Sequence, residues 1–180
     1  MAALSARLLH GYFHFLPVPG NHGRYGPDGT HAVPAYKILF HANPLPHLHL
    51  PDKKEARLVH YIIRNSENNK SIAYSIEKKG SKVAKLDYRL IASGDKYHLL
   101  EIDLHTGRHH QIRAQLAAIG LHIKGDLKYG AARSNPDGGI SLHARKVVFI
   151  HPVKKEEITI IAPPPKDSLW DYFMSELDCK

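Results

Sequence analysis

Apolar and polar residues alternate over Lys82–Ile91, with Val83, Leu86, Tyr88 and Leu90 set against Lys82, Lys85, Asp87 and Arg89 and a slip near Ala84–Lys85. A period of two is the signature of a half-buried strand. The turn residues Ser93-Gly94-Asp95-Lys96 follow, and Tyr97–Leu104 reads as the hairpin partner. The period then lengthens. Ile112, Leu116 and Ile119 recur at a helical repeat after Thr106-Gly107, with Thr106 as N-cap and Gly120 as the C′ glycine that stops the helix. Residues 140–150 and 156–162 read as two further strands, the second closed by Pro163-Pro164-Pro165. Ser168–Leu177 reads as a last short helix that puts Trp170, Phe173, Met174 and Leu177 on one face, a stripe that belongs in a core.

The pattern is different before residue 52. Residues 1–51 hold seven of the twelve Pro and seven of the fifteen His, but one acidic residue, Asp28. Val18-Pro19-Gly20-Asn21-His22-Gly23 and Tyr25-Gly26-Pro27-Asp28-Gly29 read as successive turns, and the prolines break any helix or central strand. The chain therefore divides into an irregular Pro/His-rich segment, 1–51, and an α+β domain, 52–180. The domain has a mainly antiparallel sheet with flanking helices.

Composition narrows the classes. With 180 residues, 43% of them hydrophobic, the chain can bury one core, and it contains no apolar run long enough for a transmembrane helix. The single cysteine, Cys179, excludes an internal disulfide framework and fits a reducing, cytoplasmic setting. A formal net charge of +8 makes a polyanion a leading partner class. Nothing calls for an oligomer, so monomer is the default.

The densest polar cluster is Leu104-His105-Thr106-Gly107-Arg108-His109-His110-Gln111-Ile112-Arg113. Arg108, His109 and His110 fall in the expected first helical turn, where backbone N–H groups favour anions. Arg108 and Arg113 are forks suited to carboxylate or phosphate, although a solvated basic helix start is the plain alternative. His105/His109 and His47/His49 lack carboxylates or thiols at zinc spacing, so no metal is expected. The chain has no GxSxG, P-loop or GxGxxG, so no cofactor is expected either.

The same stretch resembles the TGRxHQIR motif of the RluA-type RNA pseudouridine synthases. The likeness continues through Gly120–Gly130, similar to G-x-P-I-x-G-D-x-x-Y-G, then Ile140–Ala144, similar to I-x-L-H-A, and Phe149–Pro152, similar to F-x-H-P. Four motifs in order within residues 104–152 are specific, and the likeness runs more weakly back to about 52 and on to the C-terminus. The resemblance implies a pseudouridine synthase-like α+β fold with an RNA cleft across its sheet, incomplete at the N-terminus. It implies an isomerase that converts uridine to pseudouridine in ribosomal or transfer RNA without cofactor or metal. It implies that Arg108 holds a catalytic Asp as an ion pair, beside the strand of Leu142 and His143. By the same resemblance Ile112 and Leu142 line the base pocket. Arg113, Lys124 and Lys128 suit RNA phosphates on physical grounds.

The family's H-R-L-D-x-x-x-S-G motif, which carries the Asp, does not occur here, nor does its basic residue-x-Tyr-x-Ala strand; Tyr36 and Lys37 stand nearby without the pattern. Asp28 in Arg24–Gly29 is a weak substitute. The scarcity of acids and the sharp boundary favour an out-of-frame or misassembled reading of 1–51. A divergent extension on a degenerate synthase, Asp28 as an unorthodox catalyst, and a targeting presequence are the other readings. The chain is expected to be catalytically impaired, with a non-catalytic RNA-binding remnant as the alternative.

Overall fold

Leu86, Tyr88, Leu100 and Ile102 sit at alternate positions of two paired strands, so all four meet on one face, where each is buried. The computed structural model describes residues 33–41, 53–151 and 153–178, with side chains over 53–151 and 153–176. In chain order the elements are β1 (Val33–His41), β2 (Glu55–Asn65), β3 (Lys70–Tyr74), β4 (Lys82–Ser93), β5 (Tyr97–Leu104) and α1 (Gln111–Ala118). There follow β6 (His122–Ile123), a 3-10 turn (Leu127–Tyr129), β7 (Leu142–Ile150), β8 (Glu157–Ile161) and α2 (Ser168–Asp178). The strands form one sheet in the order β3-β2-β4-β5-β1-β7-β8, with β6 also paired to β1. Every pairing among the described residues is antiparallel. The expected α+β class, a mainly antiparallel sheet with flanking helices, is what the chain adopts.

The sheet separates two cores. On one face Ile112 and Leu116 of α1, with Leu121 and Ile123, cover Leu86, Tyr88, Leu100 and Ile102. Full burial of each such side chain contributes roughly 1.5–3 kcal/mol. On the other face Trp170 and Phe173 of α2 pack on Leu99, so the aromatic stripe is core packing as its spacing implies. The residues alternating with the first core point away from α1, and their register places Asp87 opposite both Arg57 and Asp103, and Arg89 opposite Glu101.

The hairpin β4–β5 matches its expected limits closely, and Gly94 N–H to Tyr97 C=O at 2.9 Å closes its turn. The slip lies elsewhere: the register shifts between Leu90 and Ala92, not near Ala84, which is fully buried. Helix α1 ends as Gly120 requires. Gly120 (φ 79) donates to Ala117 C=O and Leu121 to Leu116 C=O, the paired bonds of a Schellman stop. Its start is a correction: α1 begins at Gln111, so Arg108, His109 and His110 precede the helix and Thr106 is not its N-cap.

A second correction concerns residues 1–51. Strand β1 lies within them and is central, paired with β5 on one side and β7 on the other. Its proline breaks nothing because Pro34 sits at the strand start, beside a register shift between Ala35 and Tyr36, where a lost donor is tolerated. The turns proposed for 18–29 and Asp28 lie outside the described residues.

Candidate functional site

The loop between β5 and α1 is clamped by one side chain. Gln111 turns back over it: Oε1 accepts from Arg108 N–H at 2.9 Å and from Thr106 Oγ1 at 2.8 Å, while Nε2 donates to Lys85 C=O at 3.0 Å. Thr106 Oγ1 in turn accepts from Lys85 N–H at 2.9 Å. The loop is thereby tied to β4. Arg108, half-buried, donates from Nε to Val83 C=O at 2.9 Å, which fixes the plane of its guanidinium. Its terminal nitrogens have no recorded partner among the described residues. The anchor on β4 also differs from the expected one. In the sheet order, β5 and β1 separate β4 from the strand of Leu142 and His143.

Beyond Arg108 the chain builds a buried polar network. Arg113 and Asp126 form a two-pronged ion pair, Nε to Oδ2 and Nη2 to Oδ1 at 2.7 Å each, with 14% and 1% of the side chains exposed. Gly125 delivers Asp126 to this place. At φ +86 a Cβ there would lie 2.6 Å from Gly139 C=O and 2.7 Å from Asn135 Cγ, so only glycine fits. Arg113 Nη1 is 3.1 Å from His110 Nε2. A guanidinium can only donate, so Nε2 accepts, and the neutral ring donates from Nδ1 to Tyr129 Oη at 2.9 Å. Burial first, and the Arg113 charge second, push the His110 pKa down to about 3. These contacts hold His110 in a left-handed backbone conformation, φ 51 and ψ 27, that a β-carbon disfavours. His109 stacks on His110 at 3.9 Å and its Nδ1 lies 2.9 Å from Ser71 Oγ, while Ser71 N–H donates to Tyr129 Oη at 2.8 Å.

Three expected site residues therefore have other work. Arg113 spends its charge on Asp126 in the buried ion pair. Ile112 is core, 6% exposed beneath the sheet. Lys124 donates to Asn135 Oδ1 at 2.7 Å and helps hold the 131–139 loop. Leu142 is partly buried against the same core as Ile112. Lys128 stays exposed, with long bonds of 3.3 and 3.4 Å to the carbonyls of Asn68 and Asn69. Ser71 went unnoticed in the sequence, and Tyr129, the tyrosine of the Gly120–Gly130 stretch, was given no role there, since neither stands in a pattern with His109 or His110.

On the face away from α1 a concavity of about 660 Å³ is lined by Glu55, Arg57, Asp87, Arg89, Glu101 and Asp103. Arg57 binds Asp87 through two bonds of 2.7 and 2.8 Å, and His105 Nε2 lies 2.7 Å from the same carboxylate. The Arg57 bond holds the Asp87 carboxyl well below the usual range. Burial, then Glu101 and Asp87, raise that of Asp103.

Residues 31–118 match the sequence model of a family described as RNA pseudouridylate synthase. An uncharacterised RNA pseudouridine synthase of Bacillus subtilis is 39% identical over 90 residues, 49% of this chain and 30% of the relative. One of Helicobacter pylori is 36% identical over 128 residues, 68% of this chain and 39% of the relative. The ribosomal large subunit pseudouridine synthase D of Xylella fastidiosa is 36% identical over 99 residues, 48% of this chain and 30% of the relative. The chain belongs to the RNA pseudouridine synthase family.

The fold agrees with membership of this synthase family. The solved human RNA pseudouridylate synthase domain containing 1 superposes with a TM-score of 0.58 at 22% identity, over 79% of this chain and 58% of that one. The chain spans between 30% and 41% of the length of the first three curated relatives. The synthase match starts at residue 31, so part of the segment set apart as irregular belongs with the domain. Of the four motif stretches read in the sequence, the one before and into α1 lies inside this match, and the other three, in the β6-to-Tyr129 region and around β7, lie beyond it. In them Thr106 and Gln111 bond to each other and to Lys85 of β4, and Arg113 pairs with Asp126.

Proposed function

We propose that this chain is the arginine-bearing part of an enzyme that isomerises uridine to pseudouridine in ribosomal or transfer RNA, and that as written it binds RNA without turning it over. The observation that carries this is Arg108, held by Nε on Val83 C=O in a loop clamped by Gln111, with its terminal nitrogens uncommitted among the described residues. A fixed fork of this kind suits an anion. In the reaction the bond between ribose and uracil N1 breaks and is remade at C5, C5 loses its proton and N1 takes one up, which needs a carboxylate beside a base taken out of its stack. No carboxylate among the described residues is paired with Arg108. Asp126 is committed to Arg113, and Asp87 to Arg57 and His105. Asp28 is the remaining upstream candidate. The chemistry asks no metal or cofactor of these residues.

Tritium release from uridine-labelled bulk ribosomal and transfer RNA tests the reading. Release at background, with RNA bound, is the expected result. Release that disappears in Asp28→Asn would show a competent enzyme with Asp28 as its carboxylate. Release that persists in both Asp28→Asn and Arg108→Gln would put the site elsewhere.

A further inference from the structure

Cations and anions are segregated in this fold. The concavity beside β2, β4 and β5 carries Glu55, Asp87, Glu101 and Asp103 against Arg57 and Arg89, a surface that repels a polyanion. Both of those arginines are in ion pairs. The opposite sign collects where the β2–β3 hairpin ends. Arg64 stands directly across from Ser71, on the face that carries α1, and Lys70 pairs with Asn65 at the end of the same hairpin. The 3-10 turn brings Lys128 to the same place, its Nζ against the carbonyls of Asn68 and Asn69. Lys70 Nζ lies 5.3 Å from the centre of the Tyr129 ring. Among the described residues none of these three cations has an ion-pair partner, and the acids of the hairpin are Glu67 in its turn and Glu55 at the far end of β2. Burial is the main cause of the lowered pKa of His109 and of His110, and Arg64 and Lys128 add to it.

The surface is also held in shape. Asn65 Oδ1 accepts from the backbone of Glu67 at 2.9 Å and of Asn68 at 3.4 Å, and Arg64 Nη2 reaches Asn69 Oδ1 at 3.5 Å. Beneath it lies the Ser71–Tyr129–His110–Arg113–Asp126 network, which joins β3, the 3-10 turn and α1 into one unit. Cations on a braced hairpin lose little freedom on contact with a partner, which favours binding.

We propose that the tip of the β2–β3 hairpin and the adjoining 3-10 turn form a docking surface for the RNA backbone, with Arg64, Lys70 and Lys128 contacting its phosphates. This rests on the RNA reading above and assigns it a face. The acidic concavity on the opposite face takes no part in holding the strand.

The test is fluorescence anisotropy of the full chain with a fluorescein-labelled RNA hairpin across a salt series. Three proteins are compared: the parent, Arg64→Gln/Lys70→Gln/Lys128→Gln, and a charge-matched control, Lys154→Gln/Lys155→Gln/Lys166→Gln. Removing three phosphate contacts is expected to weaken binding on the order of 100-fold at 0.1 M salt, with the loss fading toward 1 M, and to reduce the salt slope by about 2–3 units. The control is expected to change the slope by less than about one unit. Equal losses in both variants would mean bulk charge alone and overturn the proposal. An unchanged first variant, with the parent bound, would overturn this face and leave the RNA reading standing. A parent that binds no RNA would sink both. Should the triple variant not fold, Lys128→Gln alone, exposed on its turn, must still reduce the slope by about one unit.

Discussion

His110 concentrates the strain and the charge regulation of the motif loop in one residue. Its ring is neutral because Arg113 points an N–H at Nε2 and burial disfavours a second proton. Its pKa falls from an ordinary 6.5 to about 3 on folding, so the unfolded chain binds the extra proton more readily. The stability this gives is complete above pH 6.5 and is lost as pH falls toward 3. His60 and His109, also lowered by burial, act in the same direction. Urea denaturation between pH 7 and 4 is expected to show stability falling. The His110 share stays below about 1.4 kcal/mol per pH unit because one ring takes up at most one proton. His110→Asn, which tolerates the left-handed backbone, is expected to flatten that slope. An unchanged slope would remove His110 as its source.

Among the elements, β1 has an effect out of proportion to its length. It joins the β2–β5 part of the sheet to β7 and β8, and Ile38 is paired with Leu100 on one side and Leu142 on the other. A proline at this central position removes a ladder donor where no edge or bulge absorbs the loss. Ile38→Pro is expected to lower amide protection in Leu142–Ile150 by about tenfold or more, an effect of about 1.4 kcal/mol, while Leu86–Tyr88 under α1 keeps more of its protection. Hydrogen exchange read by mass spectrometry separates the two segments. Equal protection in parent and variant would mean that β7 does not depend on β1.

At the scale of the whole molecule, the sheet formed by the described residues ends at β3 and β8, and both end strands expose isoleucine. Strand β3 exposes Ile72 and strand β8 exposes Ile160 and Ile161, the last 58% accessible. An unpaired edge carrying isoleucines is a template for another strand. Concentration-dependent self-association is expected in light scattering, and Ile160→Lys/Ile161→Lys is expected to suppress it with little change in unfolding midpoint. Association that is unaffected would place the contact away from β8.

The sequence by itself determined the elements whose signals are local. Tyr97–Leu104 alternates between two turn signals, Gly120 must adopt φ > 0 to end α1, and Trp170 and Phe173 recur at a helical spacing; each works through neighbours a few residues away. The family was legible for the same reason, since its motifs are short and contiguous. Strand β1 was hidden by Pro34 and by a composition poor in acids, and β2 by a run, Leu58, His60 and Ile62, whose inward histidine breaks the apolar alternation while bonding to Gln115 Nε2 at 3.1 Å. Only the tertiary structure decided what the charged groups do. Arg113 and Lys128 look equally suited to phosphate in one dimension. Folding brings Asp126, thirteen residues on, against Arg113, and leaves Lys128 beside Arg64 and Lys70 with no carboxylate paired to it among the described residues. Charge is written in the sequence, but its partner is set by distance across the fold.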